Sequence, residues 1–199
     1  MRFVVTGTDT DIGKTVFAAG LCSFLGARYW KPVQAGVPGD RETVAELAGI
    51  ETLPEAYRLK LPASPHQAAA AEGITIDPDR LTPPDGDVVI EGAGGLMVPL
   101  TRQTLFIDVF ARWQIPLILC ARTALGTINH TLLSVAVLRA SAIPLHGVAF
   151  IGEANEESER IIAELAPVKR LGRLPPVKPL THENLSVAFT ANFRREDFA

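Results

Sequence analysis

The sequence predicts a doubly wound α/β fold, in which helices cover both faces of a single, mostly parallel sheet. Strand-like apolar runs alternate with helix-like segments along the chain, and this alternation is typical of a parallel sheet. Most predicted strands, such as residues 88–90 and 117–120, are apolar at every position, as expected of strands buried on both faces. No repeat or low-complexity tract interrupts the pattern, so we expect residues 1–199 to form one domain.

The first predicted strand leads into a polar loop bounded by glycines. Residues 3–6 are strand-like, and residues 7–15 read Gly-Thr-Asp-Thr-Asp-Ile-Gly-Lys-Thr before an apolar helix. Backbone N–H groups in such a loop, with the N-terminus of the following helix, form an anion site. Lys14 can reach the β- and γ-phosphates of a nucleotide, and the Thr15 hydroxyl can bind Mg²⁺. Thr8 stands where the common phosphate-loop pattern has its first glycine, so an ordinary strand–turn–helix connection is the alternative.

Helices are predicted where apolar residues recur at helical spacing or where capping residues occur. Residues 16–25 are almost wholly apolar, which indicates a helix packed on the sheet, and Gly26 is a suitable stop. Ser64 and Pro65 supply a cap and a first helical residue for an alanine-rich segment. The predicted helices are residues 16–25, 42–47, 65–71, 104–113, 127–140 and 156–165.

The predicted strands are short apolar runs between these helices. They comprise residues 3–6, 28–33, 57–60, 87–91, 115–121, 145–151 and 168–174. Residues 34–36 and the proline-rich residues 76–84 are predicted to be irregular.

Composition excludes several classes of protein. The net charge is −3 and no basic run exceeds Arg194-Arg195, so a nucleic-acid partner is not expected. No apolar run reaches the roughly 18 residues that a membrane span needs. Cys22 and Cys120 lie in apolar stretches and read as core residues of a reducing compartment. The chain enters its first strand without a signal-like segment, so we expect a cytoplasmic protein.

Candidate chemical groups lie at the ends of predicted strands, where open α/β sheets bind their ligands. Glu91 ends an apolar strand, where a carboxylate needs a partner or a metal, and we predict a magnesium role for it. Lys31 follows another strand, although a surface lysine is an equal alternative. Asp40 is either a helix cap or a metal ligand by position alone. Residues 126–130 begin a helix after a third strand and are also open to a capping role.

Five segments of the chain, in order and in spacing, resemble the dethiobiotin synthetase family. They are residues 7–15, 31–33 (Lys-Pro-Val), 64–66 (Ser-Pro-His), 91–95 (Glu-Gly-Ala-Gly-Gly) and 126–130 (Gly-Thr-Ile-Asn-His). The likeness extends from the start to about residue 152, and the shifted first glycine is normal for that family. It implies a phosphate-loop ligase that uses ATP, Mg²⁺ and CO₂ or bicarbonate to convert 7,8-diaminopelargonic acid into dethiobiotin, ADP and phosphate.

The resemblance also implies roles for individual residues. Thr15, Asp40 and Glu91 would hold Mg²⁺. The catalytic candidates are Lys14, Lys31 and Thr10, of which Lys31 and Thr10 would also contact the diamine or its carbamate. Nucleotide contacts are implied for Asp11, Ile12, Gly13, Lys14, Thr15, Val16, Asp40, Glu91, Gly92, Ala93, Gly94, Ile151, Gly152 and Pro175. The remaining substrate contacts are implied for Ala35, Gly126, Thr127, Ile128 and Asn129.

Three further expectations follow from the resemblance. In the family, the segment that corresponds to residues 126–129 comes from the neighbouring subunit and captures the substrate carboxylate, which implies a homodimer with shared active sites. Ala35 replaces a serine that often touches substrate, so one hydrogen bond is expected to be absent or replaced. Ile151-Gly152 stands where an asparagine commonly reads adenine, which predicts relaxed base selection with GTP or CTP accepted.

Two other functions of phosphate-loop proteins are alternatives. A ligase like the synthase domain of a cobyrinate amidotransferase usually carries a glutaminase domain, for which 199 residues leave no room. A partitioning or regulatory ATPase that switches partners typically has an additional lysine early in the loop, where this chain has Asp9 and Asp11. Two acids in the loop favour a site that handles an amine.

Overall fold

The computed structural model describes residues 1–198, which contain nine strands and seven α-helices. The strands are β1 (Arg2–Gly7), β2 (Arg28–Trp30), β3 (Val33–Ala35), β4 (Thr52–Leu53), β5 (Tyr57–Leu59), β6 (Val88–Gly95), β7 (Leu117–Arg122), β8 (Leu145–Ile151) and β9 (Arg170–Leu174). The helices are α1 (Lys14–Leu25), α2 (Asp40–Ala48), α3 (Pro65–Ala71), α4 (Phe106–Trp113), α5 (Thr127–Ala140), α6 (Glu156–Leu165) and α7 (His182–Asn192).

The main sheet has seven strands in the order β4-β2-β6-β1-β7-β8-β9, and every neighbouring pair is parallel. β3 and β5 form a separate two-stranded parallel sheet. β1, which precedes the glycine-bounded loop, lies at the centre of the main sheet between β6 and β7. The predicted mostly parallel α/β fold is confirmed.

Two apolar clusters lie on opposite faces of the main sheet. Alternate residues of β1 divide between them, because Val5 packs in the cluster with α1, α2 and α7, whereas Val4 packs in the cluster with α3, α4, α5 and α6. Helices therefore cover both faces, as doubly wound sheets require. Within residues 1–198, no helix combines the length and apolar character needed to cross a membrane.

The single strand predicted at residues 28–33 is wrong. β2 ends at Trp30, and the chain then leaves the main sheet, because Pro32 has no N–H to donate to a ladder. The next strand, β3, pairs with β5, so residues 34 and 35 are strand rather than loop. Lys31 therefore lies in the connection between β2 and β3 rather than within a strand.

Several predicted boundaries also differ from the structure. α1 begins at Lys14, two residues before the predicted start, and α4 begins at Phe106 instead of residue 104. A short 3₁₀ turn occupies Pro78–Arg80 within the segment predicted to be irregular. Ser64 occupies the N-cap position of α3, but its hydroxyl does not cap the helix and instead contacts the side chains of His66 and Gln67.

α7 lies beyond residue 174, where the sequence predicts no element, yet it is a central packing element. Its Phe189 ring packs at a tilt against the Phe17 ring and lies against Gly20 of α1, where an added Cβ would clash with the Phe189 ring. His182, the first residue of α7, forms a 2.8 Å hydrogen bond to the Leu47 carbonyl at the end of α2. α7 therefore connects α1 and α2 on one face of the sheet.

Candidate active site

The loop between β1 and α1 has the backbone shape of an anion-binding loop. Asp11 and Gly13 both have positive φ angles, of 53° and 94°, and α1 begins at the next residue, Lys14. A Cβ at Gly13 would lie 3.0 Å from the Ile151 side chain, so both the conformation and the space favour glycine. The unpaired N–H groups of the first turn of α1 lie behind this loop, where they favour a phosphate.

Lys14 is buried in this loop. Its ammonium donates a 2.7 Å hydrogen bond to the Asp9 carbonyl. Burial lowers the pKa of Lys14, and although Glu91 opposes this effect, the nearby Lys31 ammonium adds to it. A buried cation with one protein acceptor has donors to spare for phosphate oxygens.

Glu91 on β6 is the most connected acid of the site and is only 1% exposed. Its Oε1 atom accepts a 3.0 Å hydrogen bond from the Thr15 hydroxyl and lies 3.5 Å from Lys31 Nζ. Its Oε2 atom accepts a 2.9 Å hydrogen bond from the Tyr29 hydroxyl. The two oxygens of one carboxylate therefore have different partners.

Lys31 is buried and bridges two acids, so it is not a surface lysine. It forms an ion pair with Asp40 as well as with Glu91. Burial by itself lowers the pKa of Lys31, but the carboxylates of Glu91 and Asp40 together outweigh burial and raise the pKa above its ordinary value. The lysine therefore remains an ammonium ion between two carboxylates.

Asp40 is the first residue of α2 and does not cap it. The N-cap is Gly39, which provides no side-chain cap, and the Asp40 carboxylate is directed to Lys31. The Asp40 N–H instead donates a 3.2 Å hydrogen bond to the side-chain carbonyl of Gln34. The Gln34 amide group in turn donates to the carbonyls of Ala35 and Gly36, which fixes the connection from β3 to α2.

Two cavities meet at these side chains. The first, of about 350 Å³, is lined by Thr10, Asp11, Gly13, Lys14, Thr15, Lys31, Asp40, Glu91 and Gly94. The second, of about 580 Å³, shares five of these residues and extends to the loops after β3 and β5. Ala35, Ala93 and Ser64 are among its other lining residues. Together the two cavities are lined by eleven of the residues that the sequence predicts to contact nucleotide, metal or substrate.

Other predicted site residues line neither cavity. They are Ile12, Val16, Gly92, Ile151, Gly152, Pro175, Gly126, Thr127, Ile128 and Asn129. Ile12 and Val16 belong to the apolar packing around α1, and a Cβ at Gly92 would meet Phe110 at 2.8 Å. The Ile151 side chain lies against Gly13 rather than at either cavity. Residues 126–129 begin α5 beyond the end of β7.

Sequence reasoning missed two polar residues of the site, Tyr29 and Gln34. Tyr29 is fully buried, and burial followed by the Glu91 charge raises its pKa well above the ordinary value. A buried tyrosine hydroxyl normally has a hydrogen-bond partner, but the partner of Tyr29 lies on β6, and the sequence does not show that β6 is next to β2. Gln34 gave no signal either, because it lies in a segment predicted to be a loop.

The donor chemistry fits magnesium. Thr15, Asp40 and Glu91 offer a hydroxyl and two carboxylates, and Mg²⁺ prefers oxygen ligands. Among residues 1–198, no three His, Cys, Asp or Glu side chains form a metal-binding cluster. Two carboxylates with a hydroxyl match the usual magnesium site of phosphate-binding enzymes, in which nucleotide phosphates and water complete the coordination.

These features define a P-loop nucleotide-binding protein. They are a central parallel strand, a glycine-bounded loop with a buried lysine at the start of a helix, and an acid on the adjacent strand. A model of the AAA domain family matches residues 1–184. A relative from Sphingopyxis alaskensis named "ATP-dependent dethiobiotin synthetase BioD" is 60% identical, and the match covers 99% of this chain and 98% of the relative. A relative of the same name from Agrobacterium fabrum is also 60% identical, and that match covers 100% of this chain and 97% of the relative. The chain belongs to the dethiobiotin synthetase family.

Solved structures of more distant proteins share the fold. A ParA family ATPase from Chlorobium tepidum has a TM-score of 0.55 at 11% identity, covering 95% of this chain and 90% of its own. The cell division ATPase MinD from Pyrococcus furiosus also has a TM-score of 0.55, at 13% identity and 94% coverage of both chains. At these identities the likeness concerns the fold alone.

Proposed function

We propose that this chain is an ATP- and Mg²⁺-dependent ligase that converts 7,8-diaminopelargonic acid and CO₂ into dethiobiotin, ADP and phosphate. Relatives with 60% identity over nearly the whole chain, named as ATP-dependent dethiobiotin synthetases, support this activity. The observation that carries the proposal is the grouping of Lys14 and Lys31 with the Thr15 hydroxyl and two carboxylates around one cavity. This arrangement suits transfer of a phosphoryl group to an anionic acceptor.

The reaction requires two kinds of charge stabilisation. One amine of the substrate and CO₂ first give a carbamate, with loss of a proton. A carbamate oxygen then attacks the γ-phosphorus and ADP leaves. The second amine attacks the activated carbonyl carbon, and phosphate leaves as the ureido ring closes. Both the carbamate and the phosphoryl group are anionic, so cations must lie on each side of the bond that forms.

The two lysines fit these two sides. Lys14 and the loop N–H groups would bind the nucleotide phosphates and stabilise the charge that develops on the phosphoryl oxygens. Lys31 lines both cavities and would offset the carbamate charge as a compact ammonium ion. Thr10 also lines both cavities, which suits its proposed contact with the diamine or the carbamate. Ala35 lies in the second cavity only and would contact the substrate without a hydroxyl.

We assign Thr15, Asp40 and Glu91 as the magnesium ligands. Bound Mg²⁺ would supply charge neutralisation at the β- and γ-phosphates. Asp40 and Glu91 lie on different elements, α2 and β6, and Lys31 contacts both of them. These ion pairs hold the two carboxylates at the same cavity.

A homodimer with shared active sites is part of the proposal. Residues 126–129 do not line either cavity within one chain, although they begin a helix whose N-terminus suits a substrate carboxylate. Leu125 is fully exposed, and Ile128 and Leu133 of α5 are also exposed. These exposed apolar side chains beside the helix N-terminus suit contact with a second copy of the chain, which would receive residues 126–129 at its own cavity.

We further propose that residues 1–199 act as one ligase domain in the cytoplasm. The two apolar clusters share one central sheet, which supports a single folding unit. Cys22 and Cys120 are both buried free thiols, as suits a reducing compartment.

The test is incubation of the protein with Mg²⁺, ATP, bicarbonate and 7,8-diaminopelargonic acid, followed by mass spectrometry. Dethiobiotin and ADP are expected together. Lys14→Ala is expected to keep the fold, judged by circular dichroism, and to lose turnover by at least about 100-fold because a phosphate-binding cation is removed. Formation of ADP without dethiobiotin, or near-normal turnover by folded Lys14→Ala, would contradict the proposal.

A parallel incubation with GTP tests base selection. The Ile151 side chain packs against Gly13 and, being aliphatic, has no group that could hydrogen-bond to a base, so similar rates with ATP and GTP are expected. A strong preference for ATP would assign base recognition to other residues.

A further inference from the structure

Tyr29 is a buried polar group for which the reaction described above has no use. It lies on β2, and its hydroxyl donates a 2.9 Å hydrogen bond to Oε2 of Glu91 on the adjacent strand β6. In the pairing of these strands, Tyr29 is opposite Val89, two residues before Glu91, so Tyr29 and Glu91 are on the same face of the sheet. The contact is therefore fixed by the strand register.

We propose that Tyr29 is a positioning residue that orients the Glu91 carboxylate for binding of the Mg²⁺–nucleotide complex. The inference rests on the proposed function in taking Glu91 as a magnesium ligand, and it deepens that assignment. Tyr29 itself lines neither cavity, so it acts through Glu91 rather than by contact with a ligand.

The two oxygens of the Glu91 carboxylate have different surroundings and therefore different roles. Oε2 is held by Tyr29 on the side of the apolar cluster, whereas Oε1 lies beside the Thr15 hydroxyl and Lys31, which both line the first cavity. The Tyr29 bond restricts rotation of the carboxylate about its last torsion. One oxygen is therefore presented to the cavity, where it would be available to bind a metal.

Burial makes this hydrogen bond difficult to replace. Tyr29 has no exposed surface and Glu91 is 1% exposed, so water is not available to serve as a substitute donor at Oε2. Without the hydroxyl, the carboxylate is expected to turn so that both oxygens seek the donors at the cavity, Thr15 and Lys31. The Glu91 oxygen that would bind the metal would then be occupied by hydrogen bonds from Thr15 and Lys31.

A purely structural role makes a different prediction. The Tyr29 ring packs in the apolar cluster with α1, and phenylalanine would fill the same space. If Tyr29 served packing alone, removal of its hydroxyl would leave metal and nucleotide binding unchanged. Tyr29→Phe therefore separates the two roles.

The chain offers a matched control, because it has two tyrosines. The Tyr57 hydroxyl also makes one hydrogen bond, accepting from the Asp77 N–H at 3.0 Å, and Tyr57 lines neither cavity. Tyr57→Phe removes a bonded hydroxyl from the same residue type without touching Glu91.

The experiment is calorimetric titration of the wild type and both variants with ADP, first with Mg²⁺ and then with a chelator. Tyr29→Phe is expected to weaken binding of ADP with Mg²⁺ by about 10- to 100-fold, the usual effect of losing a partner of a metal ligand. Binding of metal-free ADP is expected to stay within about twofold, since the loop and Lys14 are unchanged. Tyr57→Phe should match the wild type in both titrations.

Equal affinity of Tyr29→Phe and wild type for ADP with Mg²⁺ would overturn the proposal, as would an equal loss with and without the metal. A second measurement does not depend on the Tyr29→Phe variant folding: fluorine NMR of the wild-type chain labelled with 3-fluorotyrosine, with Tyr57→Phe used to assign the two resonances. The Tyr29 resonance is expected to shift on addition of ADP with Mg²⁺ and not with ADP alone. An unshifted resonance in both cases would contradict the role.

These titrations are independent of the reaction itself. If the wild type makes no dethiobiotin but the Mg²⁺-dependent difference at Tyr29 is present, the proposed function fails and the positioning role stands. If dethiobiotin forms and the difference is absent, only the role of Tyr29 fails.

Discussion

Replacement of Lys31 by methionine would test the ion-pair cluster directly. Methionine keeps much of the apolar stem but removes the ammonium that contacts both Asp40 and Glu91. Two carboxylates would then share one cavity without their cation. Loss of the ammonium is expected to lower the stability of the protein without Mg²⁺ and to reduce turnover in its presence.

The magnitude follows from burial. Removal of one partner from a fully buried ion pair costs about 3–5 kcal/mol of unfolding free energy. The Lys31 and Glu91 side chains are 7% and 1% exposed, but Asp40 is 29% exposed, so we expect the lower limit, about 3 kcal/mol. For a chain of this length each kcal/mol shifts the Tm by about 2–4 °C, which predicts a decrease of about 6–12 °C in the presence of a chelator.

Magnesium should reverse most of this loss. With saturating Mg²⁺ and ADP, the metal supplies positive charge to the same carboxylates, and we expect the Tm deficit to shrink to about 3 °C or less. Turnover should not recover, because the charge that offsets the carbamate is absent, and kcat/KM should fall by about 10- to 100-fold.

Thermal unfolding by circular dichroism, with and without Mg²⁺ and ADP, measures the stability effect. Lys169→Met is the control, because Lys169 forms a 2.8 Å ion pair with Asp197 away from the cavities and is half exposed. It should cost at most about 1 kcal/mol under both conditions. A Tm deficit for Lys31→Met that is equal with and without ligand, or near-normal turnover, would refute the reasoning.

Two other predictions concern parts of the fold outside the cavities. Glu159 is fully buried and forms ion pairs with Arg170 and Arg173. Glu159→Gln should therefore lower the free energy of unfolding, measured in urea, by about 3 kcal/mol. A loss below about 1 kcal/mol would contradict a buried ionic role. Burial lowers the pKa of His146, so protonation favours the unfolded chain and stability should decrease as the pH falls below about 6.5. His146→Gln should show a smaller decrease in urea unfolding between about pH 7 and pH 5, and an identical decrease would contradict this account.

The sequence was sufficient to predict the architecture because the relevant signals are local. Apolar runs such as residues 117–120 specify buried strands, and Gly13 with Lys14 marks the loop before α1. The broken strand at Pro32 was missed even though proline gives a local signal. α7 was missed because its main contacts, including Phe189 against Gly20, join residues far apart in the chain.

The composition of the site depended on topology. Lys31, Asp40 and Glu91 meet because β6 lies between β1 and β2. The sequence of a single strand does not reveal which strands are its neighbours in the sheet. The resemblance named these residues, but the bridge that Lys31 makes between the two acids required the structure. Tyr29 was read as an ordinary strand residue for the same reason, since its partner is 62 positions away.

The position of α7 has a practical consequence for handling this protein. α7 packs on α1 and is bonded to the end of α2, and these helices begin at Lys14 and Asp40, which both line the first cavity. The C-terminal helix thus acts as a brace that holds the phosphate loop and Asp40 at a fixed spacing. Affinity tags and reporter fusions therefore belong after an intact α7, behind a flexible linker. Truncation from this end would loosen the spacing between Lys14 and Asp40 before the sheet unfolded.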